Sequence, residues 1–175
     1  MSQLSDFTDG VFLIDFEFRP ENGREGNTPE PVCLVVKDFL SGVTSRYWKD
    51  DIHSRSSAPF SVGRTALCVA YFASAEMDCF LKLGWQLPEN ILDLYVEFRC
   101  LTNGTTPPNG AGLLGALLYF GLQSISAHQK KNMQDLVLRG GPWSQQEKED
   151  LLDYCETDVC ALDLLLPAML PTLDL

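Results

Sequence analysis

The first half of the chain consists of short apolar runs separated by polar segments, and this pattern predicts β-strands. The turn sequence Leu40-Ser41-Gly42 separates the second run from the third, so these two are expected to pair as a hairpin. The fourth run is almost wholly apolar, as in a strand buried on both faces. The predicted strands cover residues 11–18, 32–39, 43–48 and 65–72, and the polar residues 20–31 and 49–63 are predicted to be irregular.

The second half of the chain has the spacing and the capping residues of helices. Ser74 is a predicted N-cap for a helix that Gly84 ends. Ser144 and Glu147 have the spacing of a capping box and open a long helix that is expected to stop before Pro167. The remaining predictions are a short strand over residues 91–94, a helical stretch from there to residue 101, a loop over 102–110, and helices over 111–122 and 127–138.

This order of elements predicts an α/β fold in which a mixed β-sheet has flanking helices. The 175 residues suit a single domain, 1–175, with a sizeable core. No segment reaches the roughly 20 apolar residues of a membrane span, and the N-terminus lacks the features of a signal peptide. The six cysteines form no Cys-x-x-Cys pair. We interpret them as reduced core residues of a cytoplasmic protein that has no membrane partner.

The formal net charge of −11 argues against a broad electrostatic contact with duplex DNA. It does not exclude a nuclease, because catalytic carboxylates add negative charge that divalent metals neutralise locally. An enzyme that grips only a few terminal nucleotides also needs few contacts with phosphates. The charge therefore argues against broad contact with a duplex, but it leaves nucleic acid open as the class of substrate.

Asp15 and Glu17 stand in the first predicted strand, within the sequence Leu-Ile-Asp-Phe-Glu-Phe. Side chains alternate across a strand, so both carboxylates share one face while Ile14, Phe16 and Phe18 share the other. Two carboxylates about 7 Å apart along a strand can converge on one cation. The alternative is an exposed edge strand with a polar face. The apolar surroundings favour a central strand, where an unpaired charge would be costly.

Tyr154 and Asp158 lie four positions apart in the last predicted helix, so they share one helical face. Several acidic residues surround them, and these are equally typical of an amphipathic helix with a solvated acidic side. Taken alone, this pair does not indicate a function.

Together the two pairs resemble the first and third motifs of DEDD 3′→5′ exonucleases. Asp15-Phe16-Glu17 matches the early Asp-x-Glu, and residues 154–158 match the late Tyr-x-x-x-Asp. The tyrosine is similar to that of the DEDDy branch, which includes the proofreading domains of family A DNA polymerases such as DNA polymerase I. The resemblance covers nearly the whole chain in order and length, and it implies a ribonuclease H-like fold.

The middle motif departs from the family pattern Asn-x-x-(Phe/Tyr)-Asp. One register places Asp78 at the aspartate position, with Ser74 in place of Asn and Met77 in place of the aromatic residue. The other register places Glu76 there, in the first turn after the fourth strand, where the helix dipole favours a carboxylate. We prefer Glu76, because this register keeps the family's spacing to the glycine that ends the helix.

The resemblance implies two divalent cations, Mg²⁺ or Mn²⁺, held by carboxylates. Asp15, Glu17 and Asp158 would bind one cation, Asp15 would bridge to the second, and Glu76 would reach that second cation, through water. Tyr154 would orient the attacking water. Because an unperturbed phenol has a pKa near 10, Tyr154 is a positioning residue rather than a base at neutral pH.

Two further residues have implied supporting roles. Asp93 matches an additional aspartate of polymerase proofreading domains and is expected to support the site rather than to bind metal, although an ordinary strand-end or capping carboxylate would look the same. Phe16 is the candidate substrate-binding residue, because aromatic rings commonly stack on terminal bases.

The function implied by the resemblance is a metal-dependent hydrolase that releases nucleotides from the 3′ end of DNA, with the proofreading domain of a family A DNA polymerase as the implied context. The expected partners are a single-stranded DNA 3′ end and a polymerase domain in cis or in trans. Two alternatives remain open. One is a catalytically inactive module of the same fold that binds nucleic acid or acts as a scaffold. The other is an exonuclease of the same fold directed at RNA or oligonucleotides.

Overall fold

A five-stranded mixed β-sheet forms the centre of the computed structural model, which describes residues 4–20, 28–122, 127–173 and 175. The strand order is β3-β2-β1-β4-β5. The first three strands pair antiparallel, whereas β4 pairs parallel to β1 and β5 pairs parallel to β4. The strands are β1 (Gly10–Pro20), β2 (Pro29–Asp38), β3 (Thr44–Trp48), β4 (Ala66–Ala70) and β5 (Ile91–Asp93).

Helices cover both faces of this sheet, which confirms the predicted α/β fold. None of the helices in the described ranges is long and apolar enough to cross a membrane. The helices are α1 (Lys49–Ser54), α2 (Ala73–Leu83), α3 (Leu94–Leu101), α4 (Leu113–Tyr119), α5 (Ala127–Arg139) and α6 (Gln145–Met169), and a 3₁₀ turn follows at Leu170–Thr172.

Two hydrophobic clusters pack the helices against the two faces of the sheet. On one face, Leu13 of β1 packs with Phe98 of α3 and with Val159 and Leu162 of α6. On the other face, Ile14 and Phe16 of β1 pack with Leu34 of β2, Cys68 of β4 and Phe80 of α2. The central strand β1 is therefore sandwiched between α6 and α2, and any polar side chain on it is held close to both helices.

Three local predictions were wrong. Residues 49–54 form a helix rather than an irregular segment, and Ile52 alone buries its side chain there, so the sequence shows no apolar periodicity. Helix α2 begins after Phe72 and not at a Ser74 cap. Helix α6 continues past Pro167 to Met169, because a proline in the last turn removes only one late hydrogen bond.

The other helix and strand boundaries agree with the predictions to within about three residues. The predicted loop over residues 20–31 is shorter, because β1 extends to Pro20 and β2 begins at Pro29, and residues 21–27 lie outside the described ranges. The capping box of α6 is confirmed, since the Ser144 hydroxyl accepts from the Glu147 N–H and the Glu147 carboxylate accepts from the Ser144 N–H. Gly84 ends α2 in a left-handed conformation, as predicted.

Candidate active site

Strand β1 presents Asp15 and Glu17 on the face of the sheet that α6 covers. The alternation of the strand sends Ile14 and Phe16 to the opposite face. Both carboxylates are partly buried. Burial, followed by the negative charge of Asp15, raises the pKa of the Glu17 carboxyl well above its ordinary value. This strand therefore concentrates negative charge in a poorly solvated place.

Helix α6 brings Asp158 to the same two carboxylates. Its apolar residues pack onto the sheet, and the Cys155 thiol donates to the backbone oxygen of Asp15 at 3.1 Å, which fixes the helix against β1. Asp15, Glu17 and Asp158 each offer an oxygen, and these three atoms all lie within 4.8 Å of one another. Residues from the first strand and the last helix thus form one carboxylate cluster.

Tyr154 stands one helical turn before Asp158 and faces the same cleft. Its side chain is buried, and this burial, together with the charge of Asp158, raises the pKa of the phenol above its ordinary value. Tyr154 is therefore protonated at neutral pH and can act as a hydrogen-bond donor.

Glu76 enters from α2, and the structure separates it clearly from Asp78. The side chain of Glu76 is only 4% exposed and lines the cleft, whereas Asp78 lies on the surface and outside the cleft. Parallel pairing of β1 with β4 ends at Leu13 and Val69. Beyond this point the N–H of Phe16 donates to Glu76 Oε2 at 2.9 Å. Burial and the charge of Asp15 raise the pKa of Glu76. These contacts favour the register in which Glu76 is the middle carboxylate.

Asp93 supports this arrangement from the end of β5. Its carboxylate accepts from the N–H groups of Phe72 and Ala73, each at 2.9 Å, and these residues begin α2. It also accepts from Tyr95 at 2.9 Å and caps α3. One carboxylate therefore satisfies the first N–H groups of two helices, and Asp93 is absent from the lining of the cleft.

We expect Asp93→Ala to lower the free energy of unfolding by roughly 1–4 kcal/mol, because two helix starts lose their acceptor and each cap contributes about 0.5–2 kcal/mol. Asp93→Asn, which keeps one acceptor oxygen, should lose less. Urea denaturation followed by circular dichroism measures both. Asp78→Ala is the matched control, an exposed carboxylate on α2 with an expected change below about 0.5 kcal/mol. An unchanged midpoint for Asp93→Ala would contradict the capping role.

The structure contradicts the prediction that Phe16 stacks on a base. Its ring is 3% exposed and packs edge-on against Phe80 and against Trp85 in the core beneath α2. The reason is the alternation of β1, which places Phe16 on the face opposite Asp15 and Glu17. The contribution of Phe16 to the site is its backbone N–H, which holds Glu76.

A cleft of about 670 Å³ opens over the carboxylates. All five predicted catalytic residues, Asp15, Glu17, Glu76, Tyr154 and Asp158, line it. Most of the other lining residues are apolar or aromatic, and no lysine or arginine occurs among the described lining residues; they include Phe18, Tyr71, Phe72, Tyr95, Leu113, Val137 and Leu138. The cleft thus combines an anionic floor with apolar walls.

No protein-family model and no curated protein matches the sequence. Solved structures do match. The catalytic core of RRP6 from Trypanosoma brucei has a TM-score of 0.62 at 12% identity, over 98% of this chain and 44% of that one. NrnC of Brucella melitensis with bound Mg²⁺ has a TM-score of 0.58 at 14% identity, over 97% of this chain and 78% of that one. RNase D of T. brucei in complex with RNA U12 has a TM-score of 0.58 at 14% identity, over 94% of this chain and 58% of that one.

This is the ribonuclease H-like fold of DEDD exonucleases. At 12–14% identity the likeness concerns the fold. The chain spans less than half the length of the RRP6 catalytic core. The roles of individual residues in this DEDD-like fold therefore rest on the side chains of this chain.

The carboxylate cluster fits a divalent metal. Its donors are all hard oxygens, which suit Mg²⁺ or Mn²⁺. Burial and the neighbouring charge of Asp15 raise the pKa values of Glu17 and Glu76, because ionised carboxylates are poorly solvated and repel one another there. A bound cation would relieve this repulsion. Asp15, Glu17 and Asp158 are the residues that would hold it, since their oxygens lie within 4.8 Å of one another.

We expect Mn²⁺ to stabilise the protein more at pH 7.5 than at pH 5. At 100 times the Kd, binding adds about 2.7 kcal/mol, or roughly 5–10 °C in Tm for a domain of this size. The pKa values of Glu17 and Glu76 are raised in the metal-free folded protein. Lower pH therefore protonates these carboxylates and opposes binding. In the metal-free protein, the contribution of these two groups to stability falls as pH rises above about 4.5, the ordinary value of a glutamate.

Differential scanning fluorimetry with and without EDTA measures this effect. Asp158→Asn is the comparison variant. It removes one of the three clustered carboxylates, so it should reduce the metal-induced rise in Tm at pH 7.5. An equal shift in the wild type and in this variant would place the cation elsewhere.

The sequence did not indicate the aromatic wall of the cleft. Phe72 and Tyr95 lie 23 positions apart and meet with ring centroids 5.3 Å apart. Tyr71 also contacts Tyr95, at 5.7 Å. No local spacing marks this group, because it forms only where β4 and β5 end side by side. The sequence feature that could have indicated this wall is the pair Tyr71-Phe72, directly after the apolar strand β4.

Proposed function

We propose that this protein is a metal-dependent 3′→5′ exonuclease. The observation that carries the proposal is the convergence of Asp15, Glu17 and Asp158 within 4.8 Å, in a cleft that Glu76 and Tyr154 also line. These residues come from β1, α2 and α6, and the fold is shared with known exonucleases. A purely structural cluster of acids would not need a buried Glu76 held by a backbone N–H.

The carboxylates and Tyr154 have different roles in the proposed hydrolysis of the phosphodiester bond. Asp15, Glu17 and Asp158 would hold one cation, and Asp15 with Glu76 would hold a second. When bound, the cations supply Lewis acidity for the attacking water and for the leaving 3′ oxygen. Tyr154 remains protonated, so it donates a hydrogen bond and orients the water rather than removing its proton. Asp93 keeps Glu76 in place through the start of α2.

The class of nucleic acid is the finer part of the proposal. The resemblance of the motifs favours a single-stranded DNA 3′ end and a proofreading role beside a polymerase domain. RNase D, one of the three structures of the same fold named above, was solved with RNA. This observation favours RNA or a short oligonucleotide as the second candidate substrate. Both substrates therefore belong in the first assay.

The deciding experiment is degradation of 5′-labelled single-stranded DNA and RNA of one sequence, in Mg²⁺, in Mn²⁺ and in EDTA. A ladder that shortens from the 3′ end only with metal supports the proposal. The ratio of kcat/KM on the two strands then assigns the substrate. Absence of cleavage on both strands by folded protein would contradict the proposal. A metal-induced rise in Tm would then indicate a metal-binding module, and no rise would indicate an inactive scaffold.

A further inference from the structure

Phe72 is an exposed aromatic residue at the wall of the cleft. Its side chain is 51% exposed, and its ring contacts Tyr95 edge-on at 5.3 Å with an interplanar angle of 75°. It stands four positions before Glu76, on the segment that joins β4 to α2. The ring therefore lies beside the carboxylate floor and contributes little to the core.

The backbone of Phe72 is unfavourable for a residue of this kind. Its φ is +71° and its ψ is 54°, in the left-handed region. Bulky residues rarely adopt this conformation, and glycine or asparagine would adopt it at lower cost. Residues held in such conformations concentrate at functional sites.

The fold itself does not account for a ring at this position. The Asp93 carboxylate holds the N–H groups of Phe72 and Ala73, so the start of α2 is fixed through the backbone, whichever side chain residue 72 carries. The sequence thus keeps a half-exposed aromatic ring at a site where a smaller residue would suit the backbone better.

The character of the cleft indicates what the ring would contact. Among its described lining residues there is no lysine or arginine to neutralise phosphates. The apolar and aromatic walls suit a base, and every base offers a flat face to an aromatic ring. The Phe72 ring contacts Tyr95 edge-on, and half of the side chain stays exposed and accessible to such a base.

We propose that the Phe72 ring is a stacking surface for a nucleobase at the 3′ end of the substrate, an inference that rests on the proposed exonuclease function. Stacking does not read hydrogen-bond patterns, so the contact accepts all bases with little preference. Phe72 is a substrate-binding residue in this assignment, whereas Tyr95 is its support.

The test compares Phe72→Leu with the wild type on two short oligonucleotides. One carries ordinary bases, and the other lacks the bases of its last two nucleotides. On the ordinary substrate kcat/KM should fall about 5- to 150-fold, which corresponds to about 1–3 kcal/mol of stacking per base. On the substrate without terminal bases, the variant and the wild type should agree within about twofold, because the contact is missing in both.

Three further variants separate the ring from the fold. Phe72→Trp should retain activity, because it keeps an aromatic face. Phe72→Asn suits the left-handed backbone, so it should be at least as stable as the wild type and yet lose the same activity on ordinary ends. Tyr119→Leu is the control, an aromatic residue with the same 51% exposure that lies outside the cleft, and it should leave kcat/KM unchanged.

Equal losses on both oligonucleotides would overturn the stacking role and leave only a structural one, and no loss on either would overturn it as well. In both cases the wild type still degrades the ordinary strand, so the exonuclease function stands. A folded wild type that cleaves neither DNA nor RNA would overturn both assignments together.

Discussion

Asp158→Asn is expected to lower kcat/KM for 3′-end cleavage by at least about 1,000-fold, equivalent to roughly 4 kcal/mol of transition-state stabilisation. Asp158 is one of three carboxylates whose oxygens lie within 4.8 Å of one another, and asparagine removes its charge while keeping its size. A cation would then be held by one carboxylate fewer. Asp15→Asn should cause a loss of the same order, since it removes a charge from the same cluster.

Asp153→Asn provides the matched control for this prediction. It is the same substitution in the same helix, but the Asp153 side chain is 65% exposed and pairs with Arg46 away from the cleft. Its activity should stay within about twofold of the wild type. Initial rates on a 5′-labelled strand, together with circular dichroism to verify folding, measure all three variants. If Asp153→Asn and Asp158→Asn lose activity equally, the cluster is not the catalytic centre.

Glu76→Gln should show the second largest effect, a loss of at least about 100-fold in kcat/KM, together with a gain in stability. The amide has no charge to offer a cation, although its oxygen can still accept from the Phe16 N–H. Burial and Asp15 raise the pKa of Glu76, so ionising it in the folded protein is unfavourable. We expect the metal-free variant to be more stable at pH 8 by on the order of 1–2 kcal/mol.

The sign of this gain depends on pH. A carboxyl with a raised pKa in the folded state costs little near pH 4, where it is mostly protonated in both states, and the cost grows as pH rises above the unfolded value of about 4.5. The stability gain of Glu76→Gln should therefore be small at pH 4 and larger at pH 8 in urea denaturation with EDTA.

Asp78→Asn is the control that tests the register of the middle motif. Asp78 is exposed and outside the cleft, so its replacement should change neither activity nor stability appreciably. The opposite pattern, with activity lost in Asp78→Asn and kept in Glu76→Gln, would assign the middle carboxylate to Asp78.

The sequence predicted those parts of the site that depend on local periodicity. Alternation along β1 placed Asp15 and Glu17 together, and the four-residue spacing in α6 placed Tyr154 beside Asp158. The same alternation turns the Phe16 side chain away from Asp15 and Glu17, and for this reason the predicted stacking of Phe16 on a base was wrong. The sheet and the long last helix were predicted for the same reason, because strong patterns of period 2 or 3.6 mark them.

The parts that could not be predicted depend on contacts between distant segments. Asp93 caps α2 from another strand, so Ser74 was a plausible cap that the fold does not use. The aromatic wall exists only because Phe72 and Tyr95 meet across the ends of β4 and β5. In the register of Glu76, Phe72 falls at the asparagine position of the family motif. A spacing rule records this departure but does not show the left-handed backbone at residue 72, which asparagine would adopt at lower cost than phenylalanine.

The clustered carboxylates of β1 and α6 are separated by most of the chain, and this has a consequence during synthesis on the ribosome. Asp158 leaves the ribosome roughly 140 residues after Asp15, a delay of about 7–30 s at 5–20 residues per second. Until then a nascent chain carries two of the three clustered carboxylates and cannot complete the cluster. If this cluster is the active site, the nascent enzyme would have no activity on the nucleic acids near the ribosome until Asp158 has been synthesised and has reached the cluster.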